Sequence, residues 1–254
     1  MSNSPELERI AELVREGRQF WSSPRGQALR QAERACLGPL SDRWFGAHGL
    51  ELGLGATLAD ICPIRHLIRW VPCLELADVA ESLVCRAEEL PLPDDCLDLV
   101  VIHHLLEVTD EPHRLLQEAA RVTADDGHLV IFGWSPLAPT ALARLWSRTR
   151  RDFSNQGRWR TPSRLADWLA FVDFEVHRVD YCGFRLPGRP ARNASLEVLG
   201  RRHNLPLGDC YMIHARRRSL LARPNQGQLA FPGAVVGHAM NGATRLGKQP
   251  KKDN

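Results

Sequence analysis

The sequence lacks long apolar runs and paired cysteines. No window holds ~18 consecutive apolar residues, the length that a membrane-spanning helix needs, so we predict no membrane span. The first six residues, Met1 to Glu6, have neither the basic nor the apolar segment of a secretory signal. Seven cysteines occur without a Cys-x-x-Cys pair, which argues against a disulfide framework and a zinc site. We therefore expect a cytoplasmic protein with buried free thiols and no metal.

A large net charge is also lacking, except near the C-terminus. The net charge is only +3, but eight basic residues and one acid follow Ala215. Residues 221–254 are rich in Gly, Pro, Gln and Asn and lack hydrophobic periodicity, which is typical of a disordered tail. Such a basic tail is usually a solvated terminus, and we base any expected contact with nucleic acid on this tail alone.

A strand, a helix and a second strand follow one another in the middle of the chain. Residues 97–102 form a short apolar run rich in β-branched residues, which indicates a strand buried on both faces. An amphipathic helix begins at about Pro112, and residues 128–133 form another apolar run. This order predicts a βαβ crossover and therefore a parallel sheet.

The segments before and after this crossover suggest three parts of the chain. Two helices, one ending near Gly17 and one starting near Pro24, predict an N-terminal helical cap over residues 1–48. Residues 49–220 then form the α/β domain, in which the last two strands, near Phe174 and Cys210, follow without a long crossover and suggest an antiparallel pair. Residues 221–254 form the tail.

A glycine turn follows the first predicted strand of the α/β domain. Glu51, Gly53 and Gly55 form a Glu-x-Gly-x-Gly pattern. Glycines at such a turn let backbone N–H groups approach a nucleotide-like ligand. Pro63 leaves room for barely two helical turns after Gly55, so the helix expected there must be short or absent.

Several segments together resemble the class I S-adenosylmethionine-dependent methyltransferases of the type 11 branch. They are Asp98 to Val101, the His104-Leu105 loop, Asp110 to Pro112, Gln117 to Val122, Asp126 to Ile131, and the loop Ala87 to Asp94. The resemblance is strong over residues 82–134. It implies an α/β, Rossmann-like fold, with a seven-stranded, mostly parallel sheet, helices on both faces and an antiparallel last strand.

The resemblance also implies a cofactor, S-adenosyl-L-methionine, and its contacts. Glu51, Gly53 and Gly55 match the turn beside the methionine and ribose. Ala87 and Glu88 match the loop that flanks the adenine, and His103 and His104 match the strand end beside the methyl donor. Either histidine is a candidate base for the acceptor, and we take His104 as the candidate catalytic residue. The alternative is that both histidines are structural.

Three positions depart from the family pattern. Thr57 replaces its third glycine, Pro72-Cys73 replaces the acid expected after the second strand, and Arg86 replaces an acid near the adenine. We expect a methyltransferase acting on a small molecule. A non-catalytic binding or scaffold protein with this fold is the alternative, while nicotinamide-dependent redox chemistry is disfavoured. The triplet Arg158-Trp159-Arg160 interleaves charge with an aromatic ring, a pattern that nucleic-acid surfaces and anionic-substrate surfaces share, but a lone triplet before a helix is more often a surface anchor.

Overall fold

Seven strands form one sheet in the order β3-β2-β1-β4-β5-β7-β6. The computed structural model describes residues 5–42, 44–77, 81–146, 153, 156–185 and 194–218. The strands are β1 (Gly46–Gly53), β2 (Ile64–Val71), β3 (Ser82–Val84), β4 (Leu97–His103), β5 (Thr123–Trp134), β6 (Phe174–Cys182) and β7 (Cys210–Arg217). β7 is antiparallel to both neighbours and the other pairs are parallel. The predicted tail, residues 221–254, lies outside the described residues.

Helices cover both faces of this sheet. They are α1 (Pro5–Ser22), α2 (Pro24–Ser41), α3 (Pro112–Val122), α4 (Pro139–Trp146), α5 (Pro162–Phe171) and α6 (Ala194–Arg202). Alternate residues of β4 point to opposite faces. Val100 and Ile102 pack with α1, α3 and α5, whereas Leu99 and Val101 pack with α2. The predicted fold class is therefore confirmed, including the antiparallel end of the sheet.

The glycine turn leads into only a short helical segment, as predicted. A single 3₁₀ turn, Ala59–Ile61, separates β1 from β2, because Pro63 follows closely and cannot continue a helix. No helix in the described part of the chain is both long and apolar enough to cross a membrane.

The first helix continues past Gly17, so the prediction that it ends there was wrong. Gly17 lies inside α1 because its missing side chain lets the helix rest against the backbone after β1. An added Cβ would lie 2.1 Å from the Leu54 carbonyl oxygen. One turn later, the Trp21 indole N–H donates to the same oxygen at 3.0 Å. These contacts hold α1 over the glycine turn.

Candidate active site at the carboxyl edge of the sheet

The carboxyl ends of β1 and β4 meet at one edge of the sheet. Gly53, the last residue of β1, is in register with His103, the last residue of β4. An added Cβ on Gly53 would lie 3.2 Å from the His103 Cβ, closer than most side chains tolerate. Open parallel sheets bind ligands at this edge. The register therefore brings the predicted cofactor turn and the predicted histidines together.

Glu51 is a buried carboxyl group beside the glycine turn. Its Oε1 accepts a hydrogen bond from the Leu58 N–H at 2.7 Å, while Oε2 has no partner among the described residues. Burial raises the pKa of Glu51 to about 7, although the Leu58 N–H acts in the opposite direction. An unpaired buried oxygen is costly, so a cationic or hydrogen-bond-donating ligand would relieve that cost.

A cavity of about 130 Å³ lies beside this carboxyl group. It is lined by the turn and by α1, among others by Val14, Arg18, Glu51, Gly53, Gly55 and Thr57. Gly55 has a φ of +83°, and an added side chain would meet the Arg18 backbone nitrogen at 2.8 Å. Small-molecule pockets usually measure ~300–1,000 Å³. The cavity is therefore smaller than a whole nucleoside requires.

The three departures from the family pattern do not fill this cavity. Thr57 contributes to its wall, and the neighbouring strand contributes Val71 rather than Pro72. The Arg86 guanidinium instead donates to Glu6 of α1 at 3.1 Å. The wall of the cavity thus combines residues of α1 with Thr57 of the turn and Val71 of β2.

The predicted adenine loop lies apart from the cavity. Ala87 and Glu88 are both buried, and neither contributes to the wall around Glu51. The Glu88 carboxylate accepts a hydrogen bond from the Thr109 hydroxyl at 2.7 Å. The loop is thus tied to the segment after β4, so the structure groups Glu51 with the two glycines but does not bring Ala87 and Glu88 to them.

Two consecutive histidines point at the same carboxylate. Along an extended strand, neighbouring side chains point to opposite faces, but His104 has a φ of 54°. That left-handed conformation is strained for a residue with a side chain, and strain of this kind clusters at functional sites. His103 Nε2 lies 3.1 Å and His104 Nε2 lies 2.9 Å from the two carboxylate oxygens of Glu33 on α2.

Glu33 and the histidines divide their charges unequally. Burial would raise the pKa of Glu33, but interactions with His103 and His104 lower it to about 2. Burial lowers the pKa of His103 more than Glu33 raises it. For His104 the burial effect is outweighed by Glu107 and Glu33, and its pKa rises to about 9. At neutral pH, Glu33 and His104 therefore form an ion pair while His103 is neutral.

Aromatic rings and a second acid enclose this cluster. Trp134 stacks on His104 with ring centroids 4.2 Å apart, and Trp21 contacts both imidazoles from α1. Glu107 Oε1 accepts a hydrogen bond from the backbone N–H of Trp134 at 2.9 Å and lies 3.8 Å from His104 Nδ1. That second separation exceeds hydrogen-bonding distance. In the described part of the chain, Nδ1 of each histidine has no partner.

Glu33 and Glu107 are site residues that the sequence predictions missed. Glu33 offered a signal, because it lies at helical spacing from Leu29 and Cys36 and so shares their buried face. An acid on an apolar stripe needs a buried partner. Glu107 offered none, since it lies in an irregular loop after β4.

The same cluster is the place where a metal ion could be considered. Glu33, His103 and His104 offer ligand atoms that all lie within 4.8 Å of one another. However, the carboxylate and the imidazolium already neutralise each other, so their proximity does not require a cation. The prediction of no metal site stays a prediction.

Comparison with known proteins identifies the family. A family model described as a methyltransferase domain matches residues 53–131. The uncharacterized protein YafS of Escherichia coli (strain K12) is 30% identical over 234 residues, which cover 90% of this chain and 92% of YafS. The chain belongs to the class I S-adenosylmethionine-dependent methyltransferases, in the type 11 branch. The resemblance seen in the sequence is thereby confirmed.

Solved structures of other methyltransferases share the fold of this family member. An S-adenosylmethionine-dependent methyltransferase from Thermotoga maritima has a TM-score of 0.62 at 19% identity, covering 83% of this chain and 99% of that one. Geranyl diphosphate C-methyltransferase from Streptomyces coelicolor A3(2), in complex with Mg²⁺, geranyl diphosphate and S-adenosyl-L-homocysteine, has a TM-score of 0.54 at 13% identity, covering 85% and 100%. At these identities the likeness concerns the fold.

The family uses S-adenosyl-L-methionine, which confirms the predicted cofactor. The residues of this methyltransferase-family chain suit the methionine end of that molecule. Glu51 Oε2 is an unpaired acceptor that suits an ammonium group, and Gly53 and Gly55 add no side chain to the wall of the cavity. The small volume of the cavity, about 130 Å³, limits the fit.

Proposed function

We propose that this protein transfers the methyl group of S-adenosylmethionine to a small-molecule acceptor. One observation carries the proposal: the buried carboxyl group of Glu51 has a free oxygen at a glycine turn that is in register with a neutral histidine. A cytoplasmic location stays a prediction.

The predicted cofactor residues act by holding the donor in place. Glu51 binds the ammonium group of the methionine moiety, and the backbone of Gly53 and Gly55 approaches it closely. Ala87 and Glu88 flank the adenine, as the family pattern implies. When bound, S-adenosylmethionine supplies a methyl group that its sulfonium already activates, so alignment of the acceptor is the main remaining requirement.

We assign the acceptor's base to His103 rather than to His104. The His103 Nε2–H donates to ionised Glu33, which leaves Nδ1 as a proton acceptor. A Cβ on Gly53 would lie 3.7 Å from this Nδ1, so it faces the donor turn. His104 is protonated near neutral pH because its pKa is about 9, and a protonated imidazole accepts no proton. Its positive charge instead keeps Glu33 ionised.

Calorimetric titration with S-adenosylhomocysteine tests the proposal. We expect saturable binding that Gly53→Val removes, because the new side chain would crowd His103. Gly38→Ala is the matched control, since an added Cβ there meets nothing within 4 Å. A folded wild-type protein without binding at millimolar ligand would refute the proposal.

Glu51 gives the same titration a second signature. Its pKa of about 7 in the free protein should fall when an ammonium group binds beside it, because an opposite charge favours the ionised carboxylate. Binding near pH 7 should then release a proton. Titrations in buffers of different ionisation enthalpy measure that release, and Glu51→Gln should lose it.

The non-catalytic alternative rests on the narrow cavity and on Arg86. The Arg86–Glu6 ion pair, at 3.1 Å, joins the predicted adenine loop to α1. This link favours a protein whose cavity stays too small for the cofactor. In that case the wild type should not bind S-adenosylhomocysteine, and Arg86→Asp should create binding. Loss of existing binding in Arg86→Asp would contradict this alternative.

A further inference from the structure

A groove of about 770 Å³ opens beside the candidate active site. It lies between the segment after β4 and the segment that leads into α5. Glu107 contributes to its wall and also lies 3.8 Å from His104 Nδ1. The groove therefore adjoins the cluster assigned to catalysis, and its volume lies within the range of small-molecule sites.

Arginines outnumber acids in the walls of the groove. Arg9, Arg158, Arg160 and Arg164 all line it, against two acids. One of these acids, Asp110, is neutralised by Arg9 at 2.9 Å. The other, Glu107, turns its carboxylate inward to the Trp134 N–H, and its side chain is only 3% exposed. The lining therefore carries an excess of positive charge, from Arg158, Arg160 and Arg164.

Arg160 is half-buried yet contacts only neutral acceptors among the described residues. Its guanidinium donates to the carbonyl oxygens of Leu106 and Arg158, and burial lowers its pKa more than the charge of Glu107 raises it. Burying a cation is costly unless it is fully paired. An anionic group in the groove would supply a further counter-charge and form charge-assisted hydrogen bonds.

The arginines are held in place before any ligand arrives. The guanidinium carbons of Arg160 and Arg164 each lie 5.4 Å from the centre of the Trp168 ring, an arrangement that cation–π attraction favours. The backbone at Arg158 is also fixed, because its backbone N–H donates to the Glu107 carbonyl oxygen at 2.7 Å. Gly157 packs so closely there that an added Cβ would lie 2.6 Å from the same oxygen.

We propose that this groove binds an anionic group, a phosphate or carboxylate, of the methyl acceptor. The inference rests on the proposed function and names its substrate class. A nucleic-acid strand fits less well, because strand-binding surfaces offer open aromatic faces for base stacking. Trp168 is already in contact with Arg160, Arg164 and His113, whose ring centroid lies 3.9 Å away. Trp159, the other tryptophan in the wall, is partly buried against the hydrophobic core.

Calorimetric titration with inorganic pyrophosphate at physiological salt tests the groove. We expect saturable binding that the double variant Arg160→Gln/Arg164→Gln weakens at least about tenfold, the loss typical of charge-assisted hydrogen bonds. Arg164→Gln alone should weaken binding less, and this variant guards against misfolding because Arg164 is exposed. Arg65→Gln is the matched control, an exposed arginine on β2, and should bind as the wild type does.

Titration of the same variants with S-adenosylhomocysteine separates the two proposals. Unchanged cofactor binding together with weakened pyrophosphate binding supports the groove. Cofactor binding without pyrophosphate binding, or an equal loss in Arg65→Gln, overturns this inference and leaves the proposed function standing. Pyrophosphate binding without cofactor binding refutes the proposed function and with it the acceptor role. A labelled single-stranded oligonucleotide that pyrophosphate cannot displace would also overturn the small-molecule assignment.

Discussion

Two edges of the sheet each carry a histidine pair packed on tryptophan, yet their charges differ. At the amino edge, His128 Nδ1 lies 3.1 Å from His214 Nε2, and Trp44 packs on both rings. At the carboxyl edge, Trp134 and Trp21 enclose His103 and His104. The aromatic packing is similar, so it does not account for the difference in charge.

The decisive difference is the presence of buried carboxylates at the carboxyl edge. Burial lowers the pKa of His128 and His214 to about 4, and neighbouring groups such as Arg216 and His177 act in the same direction. At the carboxyl edge, Glu107 and Glu33 together outweigh burial for His104, whose pKa rises to about 9. The Glu33 carboxylate, on an otherwise apolar helix face, thus takes part in a buried ion pair.

The largest expected contrast is between the titrations of these histidines. His104 should stay protonated above pH 8, whereas His128 and His214 should stay neutral down to about pH 5. Nitrogen-15 NMR titration of the imidazoles measures this directly. A neutral His104 at pH 7 would remove the charge difference on which the comparison depends.

Replacing the carboxylate should cost the most stability. Glu33→Gln leaves the His104 charge without its partner, and breaking a buried pair typically costs about 3 kcal/mol or more. The raised pKa of His104 stabilises the fold fully below about pH 6.5, and that stabilisation is lost as pH rises through about 9. Urea unfolding should therefore show a large deficit at pH 6.5 and a smaller one at pH 10. A deficit that does not change with pH would show that Glu33 acts through packing alone.

The contrast between the edges also shows what the sequence can reveal. The apolar runs around Val100 and Val130 predicted the parallel centre of the sheet, because strands buried on both faces need unbroken hydrophobic residues. The glycine turn and the histidines were predicted from motif residues adjacent to those strands. Glu33 was missed because its partners lie 70 and 71 positions away, and only the fold brings such residues together.

Two helix glycines, Gly17 and Gly38, test whether α1 rests against the backbone after β1. Gly17→Ala should place a Cβ 2.1 Å from the Leu54 oxygen, which forces α1 away from the turn and should cost about 2 kcal/mol, in the range of overpacked sites. Gly38→Ala in α2 meets no neighbour within 4 Å and should instead stabilise the helix by about 0.5–1 kcal/mol. Equal effects in thermal unfolding would show that α1 does not rest on Leu54.

The smallest effect is expected at the amino edge. His128→Gln removes one half-buried hydrogen bond to His214, and such a loss costs about 1 kcal/mol at pH 7.5. The lowered pKa of His128 stabilises the fold above about pH 6.5, and that contribution is lost as pH falls toward about 4. The deficit of the variant in urea unfolding should therefore narrow between pH 6.5 and pH 4, opposite in direction to Glu33→Gln. If it widened on acidification instead, a carboxylate would have to be holding His128 in its charged form, and the two edges would share one design.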